Sequence, residues 1–361
     1  MTTKKKILFI ASHRPNRSPG QRFRFEQYFR YLENNGFECD LSYIFSESYD
    51  QIIYTRGKYF SKLFIFLNSV IHRMNDALKA KKYDIIFVQR EAFMTGTILF
   101  EKLFKKSGAK FVFDFDDTIW VADDSPVNSS LGWLKNPGKT SQIIKLSDLV
   151  FAGNSYLARY AKQFNRNVAV IPTTIDTNEY QKRNVSNSDT VTIGWSGSFS
   201  TVKYFKLAEP VLLKIKKKYG DKVNFLLIGD ENYTNPELEL IGMRWRKDTE
   251  VKDLSKIDIG IMPLPDDQWS KGKCGLKGLQ YMALETPTIM SPVGVNSEII
   301  DDGVNGFLAA DEEEWFQKLS SLIDSRSLRL AIGQQGRKTV VDNYSIESQK
   351  DNYVKLLLSV L

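Results

Sequence analysis

The sequence predicts an α/β protein with two doubly wound domains that face a cleft. Short β-branched and aromatic runs alternate with longer helical patterns, which is typical of parallel sheets covered by helices. The alternation stops in a polar, irregular stretch at 173–189 and then restarts. The length of 361 residues is enough for about two domains of ordinary size. We therefore expect two sheets joined by a linker.

The first domain is predicted to span residues 1–172. Apolar runs of strand length are separated by stretches with helical periodicity. The candidate strands are 7–11, 39–45, 85–89, 110–114, 149–152 and 168–171. The candidate helices are 21–34, 58–80, 93–106 and 155–164.

The second domain is predicted to span residues 190–345, after a linker at 173–189. The candidate strands are 190–195, 224–228, 257–262, 288–291 and 307–309. A last helical pattern at 346–361 follows a polar break, and we expect this helix to pack back on the first domain.

Composition excludes several classes of protein. Hydrophobic residues are 42% and charged residues 26%, which excludes disordered and fibrous chains. No run approaches the roughly 18 apolar residues of a membrane span, and the apolar stretch at 7–11 is too short for a secretion signal. The two distant cysteines, Cys39 and Cys274, fit a reducing compartment, so we expect a cytoplasmic protein.

The charge balance allows anionic partners without requiring them. Lys plus Arg is 50 and Asp plus Glu is 43, a net charge of +7. This positive excess is consistent with binding to phosphates or to a lipid surface, and it is equally explained by the need for solubility. We expect no nucleic acid partner. With two histidines and two cysteines, a metal site would have to use carboxylates.

Lysines gather at the start of a predicted helix in the second domain. Leu276 and Leu279 follow helical spacing, while Lys273 and Lys277 fall at or before the first turns. Cations there oppose the helix dipole, and an anion would reverse that penalty. The helix follows a strand, so its N-terminus should lie at the carboxyl edge of the sheet, where ligands bind. The lysines could bind a diphosphate, or they could be ordinary solvent-exposed charges. Their position at the carboxyl edge of the sheet favours the diphosphate site.

The segment 272–308, with KCGLKGLQYMALE near its start, resembles the donor site of retaining, two-domain (GT-B) glycosyltransferases of family four, in their KCxxKxLQYMA variant. Similar blocks follow the family's order at 18–28, 111–120, 147–161, 170–176 and 193–203. The resemblance implies two Rossmann-like domains and an enzyme that moves a sugar from a nucleotide diphosphate sugar to a hydroxyl of a growing glycan. It also implies that no metal or other cofactor is needed.

The resemblance also implies a set of donor-binding residues. Gln280 replaces a family glutamate that binds ribose, and Gly272 replaces one that touches the sugar. Ser198 stands where the family usually has arginine. The donor-binding positions are Gly20, Arg22, Gly197, Ser198, Lys203, Lys273, Cys274, Gly275, Leu276, Lys277 and Gln280.

The loop 13–24 follows the first strand and carries four arginines around one turn, at positions 14, 17, 22 and 24. Gly20 permits a tight turn there. Cations near the start of a helix are favourable when an anion is bound close by. We therefore expect the loop to face an anion.

An acidic cluster ends the strand at 110–114. In the glycosyltransferase interpretation Asp114 and Asp116 are catalytic, facing the acceptor or the reacting carbon. The same DxDxT pattern is the signature of haloacid-dehalogenase-like, Mg-dependent phosphatases. Two observations disfavour the phosphatase. Such a motif normally belongs to the first strand of the chain, and the later GDxxxD motif is incomplete because Thr234 stands where its last aspartate should follow Gly229-Asp230. A sugar-nucleotide-binding protein without turnover is the other alternative.

The helical pattern at 58–82 is dense in apolar residues and has basic flanks. It fits peripheral binding to a membrane that holds a lipid-linked acceptor. It also fits an ordinary helix packed on the sheet by its apolar face, which is the more common arrangement. We expect the second.

Overall fold

A computed structural model describes residues 4–55, 57–121, 136, 138–181 and 190–361. The chain divides into two compact units. The N-terminal unit is Met1–Pro172 with Lys350–Leu361, and the C-terminal unit is Thr173–Gln349.

The described part of the N-terminal unit contains a six-stranded parallel sheet in the order β2-β1-β3-β4-β5-β6. Its strands are β1 (Lys5–His13), β2 (Phe37–Phe45), β3 (Ile85–Gln89), β4 (Lys110–Phe115), β5 (Leu149–Ala152) and β6 (Val168–Val170). Its helices are α1 (Pro19–Arg22), α2 (Phe29–Asn34), α3 (Glu47–Ile53), α4 (Tyr59–Lys79), α5 (Leu99–Lys106), α6 (Lys139–Leu146) and α7 (Ser155–Ala161).

The described part of the C-terminal unit contains a five-stranded parallel sheet in the order β13-β12-β11-β7-β8, and a short β10-β9 hairpin. Its strands are β7 (Val191–Ser196), β8 (Val223–Ile228), β9 (Thr234–Asn235), β10 (Leu240–Ile241), β11 (Ile259–Met262), β12 (Thr288–Met290) and β13 (Phe307–Leu308). Its helices are α8 (Val202–Phe205), α9 (Glu209–Tyr219), α10 (Glu250–Leu254), α11 (Gln268–Lys271), α12 (Leu276–Ala283), α13 (Asn296–Ile299), α14 (Glu312–Asp324) and α15 (Arg326–Asn343). The predicted fold class is confirmed: each unit is a parallel sheet with helices.

The last helix, α16 (Ile346–Leu358), starts in the C-terminal unit and ends in the N-terminal unit. Tyr353 is fully buried, and its ring stacks on Tyr28 at 4.4 Å and meets Phe151 edge-on at 5.2 Å. Such aromatic contacts add to the free energy gained by burial. Tyr353 thus fixes the end of the chain to the aromatic core of the N-terminal unit.

Two predicted helices are shorter in the structure. The pattern at 21–34 is broken into α1, a 3₁₀ turn at Glu26–Tyr28, and α2. The break follows from three consecutive buried residues, Phe23, Arg24 and Phe25, since a straight surface helix buries only one side. The pattern at 93–106 is helical only from Leu99, and the Glu101 carboxylate of that helix accepts the amide of Ala92 at 3.0 Å.

The stretch interpreted as a linker belongs to the C-terminal unit as far as the structure describes it. Ile175 and Tyr180 are fully buried, and Ile175 pairs with Ser345. The polar composition of the stretch therefore did not indicate its packing; residues 182–189 lie outside the described part of the chain.

The helix α4 also differs from expectation. It faces the sheet with Ser69, Arg73 and Asp76 buried, while most of its large apolar side chains are exposed. The expected packing by an apolar face is wrong, because buried polar partners hold the opposite side of the helix.

Gly229, directly after β8, provides a test of backbone packing in the C-terminal unit. Its φ is +137°, and a Cβ there would lie 1.7 Å from the carbonyl oxygen of Gly197. We predict that Gly229→Ala lowers the free energy of unfolding by more than about 2 kcal/mol, since strain and overlap add.

Gly220→Ala is the control, because Gly220 also has a positive φ, +57°, but open space around it. It should cost less than Gly229→Ala, because only backbone strain applies there and no neighbouring atom is displaced. Equal losses in melting experiments would show that the contact between Gly229 and Gly197 does not constrain the fold.

Candidate functional site

In the C-terminal unit, the carboxyl ends of β7 and β11 form the centre of the candidate site. The chain passes from β7 to β8 on one side and later to β11 on the other. This reversal is a topological switch point, where ligands bind in open α/β sheets. The last residue of β7, Ser196, donates its amide to the Tyr281 hydroxyl at 2.7 Å. That bond holds α12 against the end of β7.

The start of α12 lies at this edge, as the sequence predicts. Gly275 precedes the helix with φ +70°, and a Cβ there would lie 2.3 Å from Ile299 Cδ1. A glycine is therefore needed on both steric and conformational grounds. The first amides of a helix have no intrahelical acceptor, so the turn at Cys274, Gly275 and Leu276 is suited to an anion.

Both predicted lysines lie over aromatic rings. Lys277 Nζ is 4.8 Å from the ring centre of Trp195 on β7, and Lys273 Nζ is 5.0 Å from that of Trp269. Both lysines are partly buried. Cation–π contacts restrict where the ammonium groups lie. By contrast, Lys271 belongs to the separate helix α11 and pairs with Asp266 at 2.8 Å.

Trp195 connects the lysine region with Gly197. A Cβ on Gly197 would lie 2.3 Å from the Trp195 ring, the same ring that Lys277 covers. The structure thus brings Gly197 and Lys277 to one place. Ser198 lies on an exposed turn, where it forms a capping box with Thr201. Lys203 lies on α8, with its ammonium group over the ring of Tyr204.

Gln280 points into the protein. Its amide nitrogen donates to the Tyr180 hydroxyl at 2.9 Å and to Glu250 Oε1 at 3.2 Å. Glu250 also accepts from Tyr180 at 2.7 Å and from Trp245 at 2.9 Å. Gln280 therefore ties α12 to α10 and to the segment around Tyr180. The ribose contact expected of Gln280 stays a prediction, and it would have to use the carbonyl oxygen.

In the N-terminal unit the switch point lies between β1 and β3. A Cβ on Gly20 would lie 3.0 Å from Asp116 Oδ2 and 3.3 Å from Gln89 Nε2. Gln21 spans the turn, because its side chain exchanges two hydrogen bonds with the backbone of His13 at 2.7 and 2.9 Å. Gly20 thus places the loop directly beside the acidic cluster.

The arginines of this loop bind carboxylates of the same unit. Arg14 and Arg17 both bind Asp50, the second at 2.9 Å. Arg22 is buried, with its guanidinium 4.5 Å from the ring of Phe23. The sequence expectation of four arginines facing an anion is wrong for Arg14 and Arg17, because Glu47 and Asp50 on α3 bind them. It is also wrong for Arg24, which is buried against Asp114.

The two aspartates Asp114 and Asp116, which the sequence analysis treats alike, lie in different environments. Asp114 is fully buried and binds Arg24, whose Nε lies 3.2 Å from Oδ1 and 3.3 Å from Oδ2. Burial raises the pKa of Asp114, and the charge of Arg24 opposes that rise. A catalytic role on an acceptor does not fit a carboxylate without exposed surface. Asp114 instead stabilises the edge of the sheet.

Asp116 remains at the edge of the sheet. It is partly buried, and Arg90 Nε donates to its Oδ1 at 2.7 Å. Arg90 has φ +62°, an uncommon conformation for a residue other than glycine. Sequence reasoning missed Arg90, although its position directly after β3 could have indicated it.

No set of three or more His, Cys, Asp and Glu side chains suited to a metal ion occurs in the ranges that the structure describes. Within the same ranges, no helix combines the length and the apolar character required to cross a bilayer.

A family model matches most of the C-terminal unit. Residues 190–325 match a family model described as "Glycosyl transferases group 1". These residues include β7, the lysines and α12. No curated protein sequence matches the chain.

Solved structures match the whole chain in fold. HepE of Anabaena, in complex with UDP and glucose, is 14% identical with a TM-score of 0.68, covering 98% of this chain and 100% of its own. A glycosyltransferase of Rickettsia africae is 15% identical with a TM-score of 0.69, covering 99% and 98%. Sucrose-phosphate synthase of Thermosynechococcus elongatus is 14% identical with a TM-score of 0.68, covering 99% of each chain. The fold is that of GT-B glycosyltransferases.

The different burial of Asp114 and Asp116 gives a prediction about stability. Asp114→Asn leaves the buried Arg24 guanidinium without its counter-charge, so it should lower the free energy of unfolding by about 3–5 kcal/mol. Asp116→Asn, which alters a partly exposed pair, should cost about 1 kcal/mol or less. Thermal melting of both variants checks this; a smaller loss for Asp114→Asn than for Asp116→Asn would contradict it.

Proposed function

We propose that the protein is a retaining glycosyltransferase that moves a sugar from a nucleotide diphosphate sugar to a hydroxyl of a glycan or lipid-linked acceptor. The observation that carries this proposal is the start of α12, where Lys273 and Gly275 precede the helix and Lys277 lies in its first turn, at the switch point of the C-terminal unit. The family match over this region supports it.

The proposed chemistry needs stabilisation of a departing diphosphate. Its negative charge would be met by the ammonium groups of Lys273 and Lys277 and by backbone amides at the start of α12. Fixed donors aimed at developing charge stabilise a transition state without reorganisation. The glycine at 275 matters because a side chain there would collide with Ile299 and displace the amides.

In the proposed reaction no protein side chain attacks the sugar. The bond from the anomeric carbon to the diphosphate oxygen breaks, and the acceptor oxygen bonds to that carbon on the same face. The acceptor proton passes to the departing diphosphate. We assign Asp116 and Arg90 of the N-terminal unit to the acceptor, because both stand beside Gly20 at the carboxyl edge of that sheet.

The phosphatase alternative requires a reachable nucleophile at Asp114. Full burial of this residue and its ion pair with Arg24 oppose that role. The second alternative, a binding protein without turnover, uses the same donor site and differs only in the absence of product.

The cytoplasmic location predicted from the cysteines remains part of this proposal. So does peripheral membrane contact through the N-terminal unit, which would bring the enzyme to a lipid-linked acceptor.

The donor site is tested by Lys277→Ala. Loss of one charge-assisted contact should weaken binding of the matching nucleoside diphosphate by about 1.5–3 kcal/mol, and binding of the nucleoside should change little. A thermal-shift panel of UDP, GDP, ADP and dTDP first identifies the base; ligand at 100 times its dissociation constant adds about 2.7 kcal/mol. Titration calorimetry then compares the variant with the unaltered protein.

Lys217→Ala is the matched control, since Lys217 is exposed near the end of α9 and carries the same charge. It should bind the diphosphate as the unaltered protein does. Equal affinity of Lys277→Ala and Lys217→Ala would remove the donor-site assignment.

Turnover is tested with labelled sugar nucleotides and a lipid and glycan extract as acceptor. We expect a glycosylated product that keeps the anomeric configuration of the donor sugar, measured by NMR, and a rate unchanged by excess EDTA. Donor binding without product would favour the binding protein. Loss of activity in EDTA that magnesium restores would contradict metal-free transfer.

A further inference from the structure

The helix α4 is packed on the N-terminal unit by a polar stripe. Its residues that face the sheet recur every three or four positions, at Ile65, Ser69, Arg73, Asp76 and, just beyond the helix, Ala80. Surface helices usually bury an apolar stripe. In α4 the usual orientation is reversed.

The polar stripe is held by a buried hydrogen-bond network. Arg73 donates to Asp76 at 2.8 Å, to Ser42 Oγ at 2.9 Å and to the Ala92 carbonyl at 2.8 Å, and it also binds the Ala11 carbonyl. Ser42 in turn donates to Asp76 at 2.6 Å. Arg73 thus connects α4 to β1, β2 and the segment after β3. The rotation of α4 about its axis is fixed by these bonds.

The opposite face of α4 is apolar and exposed. Phe60 is 92% exposed, Phe64 61%, Ile71 59% and Leu78 69%. Leu63, Leu67 and Met74 belong to the same face by helical spacing and are also exposed. We call these seven residues the apolar face. Contiguous exposed apolar patches of this kind mark interaction sites, and a helix of 21 residues is about 31 Å long.

The charges around the apolar face are positive. Between 58 and 82 the single acidic residue is Asp76, which is buried and bound by Arg73. Lys58, Lys79, Lys81 and Lys82 are exposed. Lys62 is partly exposed, and by helical spacing it lies on the side of the buried stripe. Tyr59 is exposed at the start of the helix, a residue type enriched at membrane interfaces.

We propose that α4 lies in the interface of a bilayer containing anionic lipid, with its apolar face among the acyl chains and its lysines at the headgroups. An amphipathic helix with an apolar face and basic borders binds such surfaces. Two copies of this chain would bring like charges together along the same helix, so a second copy is a poorer partner. The assignment rests on the proposed function only in that it places the acceptor at the membrane.

The experiment is flotation of the full chain with vesicles, without any sugar nucleotide. The protein should float with vesicles of phosphatidylcholine and phosphatidylglycerol and much less with phosphatidylcholine alone. The variant Phe60→Ser, Phe64→Ser, Leu67→Ser should bind the anionic vesicles more than about tenfold more weakly. The variant Lys79→Glu, Lys82→Glu should lose at least about fivefold for each lysine.

Matched control variants change the same types of side chain at exposed positions outside α4. Leu99→Ser with Ile241→Ser alters exposed apolar residues outside α4, and Lys217→Glu with Lys222→Glu alters exposed lysines of the C-terminal unit. These variants should bind vesicles as the unaltered protein does. All variants should keep their melting temperature, because every altered side chain is at least partly exposed.

Three results would overturn the proposal. The first is that the protein does not bind anionic vesicles, and the second is that the control variants lose as much vesicle binding as the α4 variants. The third is that the protein sediments as a dimer without lipid and the triple serine variant sediments as a monomer. Failure of the proposed function is a different result: vesicle binding would persist while no nucleoside diphosphate binds and no product forms.

Discussion

The buried ion pair between Arg24 and Asp114 is the interaction on which the edge of the N-terminal sheet depends. Asp114 lies near the end of β4, and Arg24 also donates to the carbonyl of Ile171 just after β6. A buried charge is tolerated only when it is paired and hydrogen-bonded. The pair therefore fixes the break after α1, the short helix that carries Gly20. Asp116, two residues beyond Asp114, is left at the edge with Arg90.

In the C-terminal unit, close backbone approach plays the corresponding role. Gly229 and Gly197 lie so close that a Cβ on Gly229 would overlap the Gly197 carbonyl, and Trp195 fills the space beside Gly197. Tyr281 then binds the end of β7 through Ser196, and Gln280 binds Glu250. These contacts hold the end of β7 and the helix α12, on either side of the proposed donor site. Lys273, before α12, and Lys277, in its first turn, are thus presented by a fixed scaffold, which charge stabilisation requires.

The reversed helix α4 follows from the same rule about buried charge. Arg73 is bound by Asp76, Ser42 and two backbone carbonyls, and turning the helix would take its donors away from Ser42 and from the carbonyls of Ala11 and Ala92. The apolar face consequently stays outside, where its basic borders suit an anionic lipid surface.

The sequence by itself determined the parallel-sheet fold, most strand positions to within one or two residues, and the position of the α12 turn, because apolar runs, helical spacing and glycines are local signals. It could not determine that Asp114 is buried against Arg24 or that Gln280 points inward to Glu250, since these partners are far apart in the chain. Nor could it determine which face of α4 packs on the sheet. A helical pattern defines the faces, but the face that is buried depends on the Ser42 side chain and on the carbonyls of Ala11 and Ala92, which only the tertiary structure brings to Arg73.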